Sequence, residues 1–181
     1  MKHLISAGVL LLGSTLAHAQ ATHWTFSYTG FYDQEAAQFM PEMRIDGAFS
    51  GHDANADGML EAAELNSLTL GGIDYVACAS GSNAHYHCGT ERFHFSTSEG
   101  LSFSLGEYGS DPEGWRGAGY LVTTGDLSYE YRFDPYATTE HHLRWTDGTV
   151  LTMVSVVPES PAWAMLLAGL LISPLFRRQR Q

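Results

Sequence analysis

A short acidic segment in the middle of the chain contains the residue types that bind a hard cation. Residues 53–64 read Asp-Ala-Asn-Ala-Asp-Gly-Met-Leu-Glu-Ala-Ala-Glu. Short side chains with carboxylate or amide oxygens at alternate positions can converge on one Ca²⁺, and the glycine after the third of them permits the sharp turn that this requires. A closing glutamate supplies two more oxygens. The segment therefore predicts a calcium-binding loop.

The order of these residues matches the EF-hand calcium loop at each functional position. The expected ligands are the side chains of Asp53, Asn55, Asp57, Glu61 (through a water) and Glu64 and the backbone carbonyl of Met59. Residues 45–51, before the loop, alternate like a strand, and the sequence has no second loop to pair with the first. Both differences from a complete EF-hand predict a weak structural site, with a Kd of ~10⁻⁴–10⁻³ M as in extracellular modules. The alternative is an acidic turn that binds no ion.

Cys78 and Cys88 are the only two cysteines of the chain. In an exported protein, two cysteines this close in sequence predict a local disulfide, which would stabilise the fold by about 2–3 kcal/mol. His85 and His87, next to Cys88, raise the alternative of a zinc site. Their spacing differs from that of the usual zinc motifs, so the disulfide is the favoured interpretation.

The sequence shows no established catalytic motif, whether a Gly-x-Ser-x-Gly, a His-Glu-x-x-His or a phosphate-binding glycine-rich loop. Asp111 and Glu113 are the best candidates for a hydrolase carboxylate pair, but a solvated acidic loop explains them better. We therefore predict a protein that is not an enzyme. The alternative function is a carbohydrate-binding module with aromatic platforms. The candidate platforms are Trp24, Trp115, Trp145 and nearby tyrosines.

The charge of the chain argues against one class of partner. Nine Lys+Arg stand against 20 Asp+Glu, for a net charge of −11. Between residues 20 and 157 the basic residues are all arginines: Arg44, Arg92, Arg116, Arg132 and Arg144. Because such a surface repels phosphate backbones, we expect no binding to nucleic acid.

The elements that would position these residues are strands. Residues 20–157 contain several runs in which apolar and polar residues alternate, separated by turn residues such as Glu99-Gly100 and Gly125-Asp126. Asp147-Gly148 is a favoured hairpin pair and predicts a hairpin before residues 150–157. This pattern predicts a mostly β domain, either an antiparallel β-sandwich or an open barrel. One short helix is expected after the calcium loop, near residues 62–68, and residues 33–40 are a weaker candidate for a helix or a loop.

The first 19 residues have the three parts of a secretory signal peptide. A short basic start is followed by the apolar residues 4–16 and by Ala17-His18-Ala19, with Ala17 and Ala19 as the small residues that define a cleavage site after Ala19. The apolar run is short for a membrane span, and an uncleaved anchor is the alternative. We expect an N-terminal signal helix and export of the chain.

The C-terminal residues 158–181 are also tripartite. Pro158-Glu159-Ser160-Pro161 ends the last strand-like run, residues 162–176 are apolar except for one serine, and three arginines lie in 177–180. A helix over residues 158–176 would be about 28 Å long, close to the ~30 Å hydrocarbon core of a bilayer. The arginines would hold its end on the cytoplasmic side. The pattern predicts a C-terminal transmembrane helix. A plain membrane anchor is one explanation of this helix.

This tail resembles the PEP-CTERM sorting domain. The resemblance rests on Pro158, Glu159 and Ser160, on the apolar run 164–170 and on the arginine cluster, and it covers only residues 157–181. The usual motif is Pro-Glu-Pro, whereas here Ser160 takes the place of the second proline. The resemblance implies an exosortase-type sorting enzyme as a partner and transient anchoring in the inner membrane. It further implies a final location in the periplasm, at the outer surface or in the extracellular matrix, in association with exopolysaccharide.

Overall fold

The computed structural model describes residues 22–156, so the predicted signal peptide and C-terminal tail lie outside it. The described chain consists of strands and two short 3₁₀ turns, Ala62–Glu64 and Ala77–Gly81. The strands are, in chain order, β1 (Thr22–Asp33), β2 (Gln38–Gly51), β3 (Met59–Glu61), β4 (Leu65–Leu70), β5 (Ile73–Asp74), β6 (Tyr86–Ser96), β7 (Gly100–Ser110), β8 (Gly117–Thr123), β9 (Leu127–Phe133), β10 (Thr138–Arg144) and β11 (Val150–Ser155).

The strands form one antiparallel sheet that curves into half of a barrel. Their order across the sheet is β3-β6-β7-β8-β9-β10-β1-β2-β4-β5, and β11 pairs with β1 beside this path. The mostly β, antiparallel character predicted from the sequence is thus confirmed. Of the two predicted architectures, the open barrel is the nearer one. None of the helices formed by residues 22–156 has the length and apolar character needed to cross a membrane.

The core lies between β1 and β2 on one side and β6 and β7 on the other. Phe49 of β2 packs against Phe93 and Phe95 of β6, with ring centroids 5.1 and 5.0 Å apart. The hydroxyl of Tyr28 on β1 donates to the carbonyl of Leu101 at 2.8 Å, and burial raises the pKa of Tyr28 to about 12. These contacts between strands distant in sequence hold the two sides of the curved sheet together.

Two hairpins follow the predicted turns. Gly100 begins β7 and Gly125 lies between β8 and β9, with φ of 84° and 77°. These left-handed backbone conformations favour glycine, which has no Cβ to clash. The turn residues therefore determine where β6 turns into β7 and where β8 turns into β9.

The predicted helix near residues 62–68 is wrong. The chain makes only the 3₁₀ turn Ala62–Glu64 and then enters β4. Leu65 and Leu68 suggested one face of a helix, but a register shift opposite Ser50 and Gly51 leaves one residue of β4 out of the pairing. That irregularity puts both leucines on the core side of a strand. A bulge thus produces the spacing of three residues that is typical of a helix.

Of two other local predictions, one left two alternatives open and one is wrong. Residues 33–40, a candidate for a helix or a loop, form a turn over residues 34–37 between β1 and β2. Asp147-Gly148 does not form a hairpin, because β11 pairs with β1 and not with β10. Gly148 is not among the described glycines with positive φ, so the turn lacks the backbone conformation that a tight Asp-Gly hairpin requires.

Candidate calcium loop and neighbouring sites

The predicted calcium loop bridges two separate parts of the sheet. Before the loop, Gly51 at the end of β2 pairs with Leu65 of β4. After it, Leu60 of β3 pairs with Phe95 of β6, at the other end of the strand order. The backbone N–H of His52 also donates to the carbonyl of Glu64 at 3.0 Å. The loop therefore connects the β2–β4 region with β6 across the open side of the half-barrel.

The first three expected ligand side chains are directed into the loop by its own backbone. The Asp53 carboxylate accepts hydrogen bonds from the N–H groups of Asp57 and Gly58 at 3.2 and 2.8 Å. The Asn55 side-chain oxygen accepts from the N–H of Asp57 at 3.0 Å. Gly58 has a φ of 83°, the left-handed conformation expected of the glycine at the turn. The acidic segment thus forms a compact turn in which side-chain oxygens accept hydrogen bonds from its own backbone.

Glu64 reaches back across the loop. Its Oε1 accepts from the backbone N–H of Ala54 at 3.0 Å, and its Oε2 accepts from that of Glu61 at 3.1 Å. The last expected ligand is thereby brought beside the first, although eleven positions separate them in the loop numbering. Glu64 is half-buried, whereas Glu61 is exposed.

The donor set of this loop fits Ca²⁺ by its chemistry, since all the expected ligand atoms are oxygens. Three of the ligand side chains, those of Asp53, Asp57 and Glu64, are carboxylates in the same turn. The carboxylate oxygens of the loop lie farther apart than the ligand atoms around a bound ion would. In residues 22–156, three Asp, Glu or His ligand atoms come within 4.8 Å of one another only at Asp33, Glu35 and His141. An ion in the loop would have to draw its carboxylates closer together.

The predicted disulfide is confirmed. Cys78, in the 3₁₀ turn before β6, is bonded to Cys88 on β6, with a Cα–Cα distance of 5.7 Å. Cys88 is buried in the core. Because its sulfur is in the disulfide, the alternative zinc site with His85 and His87 loses its cysteine ligand.

Asp111, one of the two carboxylates considered for a hydrolase, holds a turn. Its Oδ1 accepts from the backbone N–H of Trp115 at 2.6 Å and from that of Arg116 at 3.1 Å. Glu113 is exposed in the same turn. This arrangement supports the interpretation of the segment as a structured acidic loop.

The three candidate tryptophans lie in different environments. Trp24 packs against Phe95 with centroids 5.0 Å apart, and Trp145 against Phe31 at 4.7 Å, so both contribute to the core. Trp115 is 67% exposed. Of the three, only Trp115 presents most of its ring to a ligand.

Sequence reasoning missed a cluster of carboxylates and histidines between β1 and β10. His141 Nε2 lies 3.2 Å from Asp33 Oδ2, and His142 Nδ1 lies 2.7 Å from Glu35 Oε1. The backbone N–H of His142 also donates to Glu35 at 2.9 Å. No local signal could have indicated the cluster, because 108 positions separate Asp33 from His141.

The chemical surroundings lower the pKa of both carboxyls. At Asp33 the main cause is the hydrogen bond from the Ala36 N–H, followed by the contact with His141. At Glu35 the causes are the hydrogen bonds from the backbone and then the ring of His142. The cluster joins β10 to the β1–β2 turn where β1 and β10 share only two residue pairs.

No protein-family model, curated protein or solved structure matches this chain.

Proposed function

We propose that this chain is an exported, surface-sorted and non-catalytic protein whose β domain is stabilised by one structural Ca²⁺. The observation that carries the proposal is the position of the loop 53–64. Four of its expected ligand side chains, those of Asp53, Asn55, Asp57 and Glu64, bond to the backbone of one turn, which connects β2 and β3 across the open side of the sheet. An ion there would stabilise the domain without taking part in any reaction.

Electrostatic repulsion explains why an ion would matter. Four carboxylates lie within the loop, at Asp53, Asp57, Glu61 and Glu64, and no basic residue lies among them. Ca²⁺ would offset their repulsion and bind only when the loop is folded. Binding to the folded state alone raises stability by mass action.

The proposed destination follows from the two ends of the sequence. The signal peptide would direct export, and the tail 158–181 would anchor the chain in the inner membrane until an exosortase-type enzyme processes it. The disulfide is consistent with an oxidising compartment. Association with an exopolysaccharide matrix is the proposed final state.

Calcium titration of the full chain in detergent, followed by thermal unfolding, tests the metal site. At an ion concentration 100 times a Kd of ~10⁻⁴ M, the expected gain in the free energy of unfolding is about 2.7 kcal/mol, or a Tm increase on the order of 10 °C. Asp53→Ala and Glu64→Ala should abolish the increase.

Asp147→Ala is the matched control, because Asp147 is an exposed aspartate in a turn outside the loop. This variant should respond to Ca²⁺ like the unaltered chain. A Tm that millimolar Ca²⁺ leaves unchanged, or an increase that survives both loop substitutions, would show that the segment is only an acidic turn.

A further inference from the structure

The inner face of the sheet continues past the core as a polar surface. Strand pairing aligns residues of β6 to β10 in cross-strand rows, and residues two apart on a strand share a face. The innermost row is buried and comprises Leu105, Val122, Ser128 and Leu143. The next row comprises Cys88, Glu107, Tyr120, Glu130 and His141. The outermost row comprises Tyr86, Gly109, Ala118, Arg132 and Thr139.

A cleft of about 980 Å³ opens at the outermost row. Gly109 and Ala118, the two smallest residues of that row, lie between Tyr86 and Arg132 in the strand register. The Tyr86 hydroxyl donates to Glu107 Oε2 at 2.7 Å, which fixes the orientation of the aromatic ring. The cleft thus has small residues between an aromatic side chain and a cationic one, and its volume is in the range of small-molecule sites.

The lining of the cleft includes two arginines and two aspartates, Asp111 and Asp134. Arg116 and Arg132 both line it. Of the other arginines in residues 22–156, Arg44 and Arg144 form ion pairs with aspartates at 2.7 and 3.7 Å. No ion pair of the described region includes Arg116, Arg132 or the distant Arg92. Two of the three arginines in residues 22–156 that form no ion pair therefore line the same cleft.

The acidic residues of the cleft are engaged with the backbone. Asp111 Oδ1 accepts from the N–H groups of Trp115 and Arg116, and Asp134 Oδ1 accepts from those of Tyr136 and Ala137 at 2.8 and 3.1 Å. Neither carboxylate is paired with a guanidinium. The two arginines keep their donors for a ligand, and a guanidinium matches the geometry of a carboxylate with two parallel hydrogen bonds.

We propose that this cleft binds a carboxylate-bearing saccharide, with Arg116 and Arg132 on the carboxylate and the ring of Tyr86 against the sugar. An aromatic ring packs on the apolar face of a sugar, and the side chain of His85, which also lines the cleft, can supply a polar contact. The exposed Trp115, next to Arg116, extends the aromatic surface beyond the cleft. This site is separate from the calcium loop.

Calorimetric titration of the full chain in detergent with an oligogalacturonate tests the proposal, with a neutral glucose oligosaccharide of the same length for comparison. The measurements contain EDTA, because polyuronates themselves bind Ca²⁺ and could otherwise bridge to the loop 53–64. Circular dichroism in the same buffer checks that the chain is folded. The acidic oligosaccharide should bind and the neutral one should bind at least about tenfold more weakly, since hydrogen bonds to a charged partner are the stronger ones.

Arg116→Gln and Arg132→Gln should each reduce the affinity about tenfold or more, and added salt should reduce that of the unaltered chain. Arg92→Gln is the matched control, since Arg92 is an exposed, unpaired arginine on β6 outside the cleft. Tyr86→Phe, which keeps the ring, should bind better than Tyr86→Ala. The proposal is overturned if the uronate does not bind, if the neutral sugar binds equally well, or if the folded Arg116 and Arg132 variants bind like the unaltered chain.

Discussion

At the residue scale, Asp33 contributes to the fold well beyond its own strand. It is buried at the end of β1, accepts a hydrogen bond from Ala36 in the turn at 2.8 Å, and contacts His141 on β10. Glu35, in the same turn, accepts two hydrogen bonds from His142, one from its backbone N–H and one from its ring. Two carboxylates and two histidines thus connect strands that hardly pair with each other.

This cluster predicts a specific acid sensitivity. Both carboxyls have a pKa below their ordinary values of 3.8 for Asp33 and 4.5 for Glu35. As the pH falls, the unfolded state takes up protons first, so the stabilisation is complete above the ordinary values and is lost as the pH falls through the lowered ones. Asp33→Asn combined with Glu35→Gln should therefore flatten the pH dependence of the free energy of unfolding below about pH 4.5.

Urea denaturation at a series of pH values measures this slope, with Glu113→Gln as a control in an exposed loop carboxyl. The control should keep the slope of the unaltered chain. An unchanged slope in the double variant would mean that the cluster does not couple folding to protonation.

At the element scale, β8 and β9 fit each other through a contrast in side-chain size. The rings of Tyr129, Tyr131 and Phe133 follow one face of β9 with nearly parallel planes, at 26° and 11° to one another. Their partners on β8 include Gly117 and Gly119. A Cβ on Gly119 would overlap the ring of Tyr131, so the glycine leaves the space that the ring fills.

Gly119→Ala should therefore lower the free energy of unfolding by about 1–3 kcal/mol, because the added methyl group forces the ring away from its position. Gly81→Ala is the matched control, since a Cβ there meets nothing within 4 Å and the backbone needs no positive φ. Chemical denaturation measures both. Equal stability of the two variants would contradict the predicted fit.

The elements also show what the sequence could predict. Alternating apolar and polar residues and the turns at Gly100 and Gly125 predicted β6 to β9, because both signals are local in the sequence. It failed at Leu65 and Leu68, where a bulge changes the spacing, and at Asp147-Gly148, where the pairing is with β1. The calcium-loop residues were identifiable because their spacing is local. The cluster around Asp33 and the cleft with Arg132 could not be identified in this way, since pairing between strands that are distant in sequence assembles them.

At the scale of the whole molecule, the proposed route of the chain depends on its tail. In a bacterium that produces an exosortase-type enzyme, the unaltered chain should be released from the inner membrane. Pro158→Ala with Glu159→Ala should keep it in the membrane fraction, because the recognised motif is lost. Fractionation with detection of the chain by antibody measures the difference.

Ser160→Pro is the informative companion variant, since it restores the usual Pro-Glu-Pro motif. Its release should equal or exceed that of the unaltered chain. Retention of all three chains, or equal release of all three, would contradict the proposal that the tail is a sorting signal.

The pairing of the first strand with the last sets an order of events for the domain. Trp24 on β1 lies opposite Ser155 on β11, and six consecutive residue pairs join the two strands. During synthesis from the N-terminus, this edge of β1 has no partner until nearly the whole domain has been made. A nascent chain that ends before residue 150 leaves those backbone groups unpaired, so the domain can complete its sheet only after its final strand has emerged. This connectivity is therefore compatible with the proposed export, in which the chain would cross a membrane before it folds.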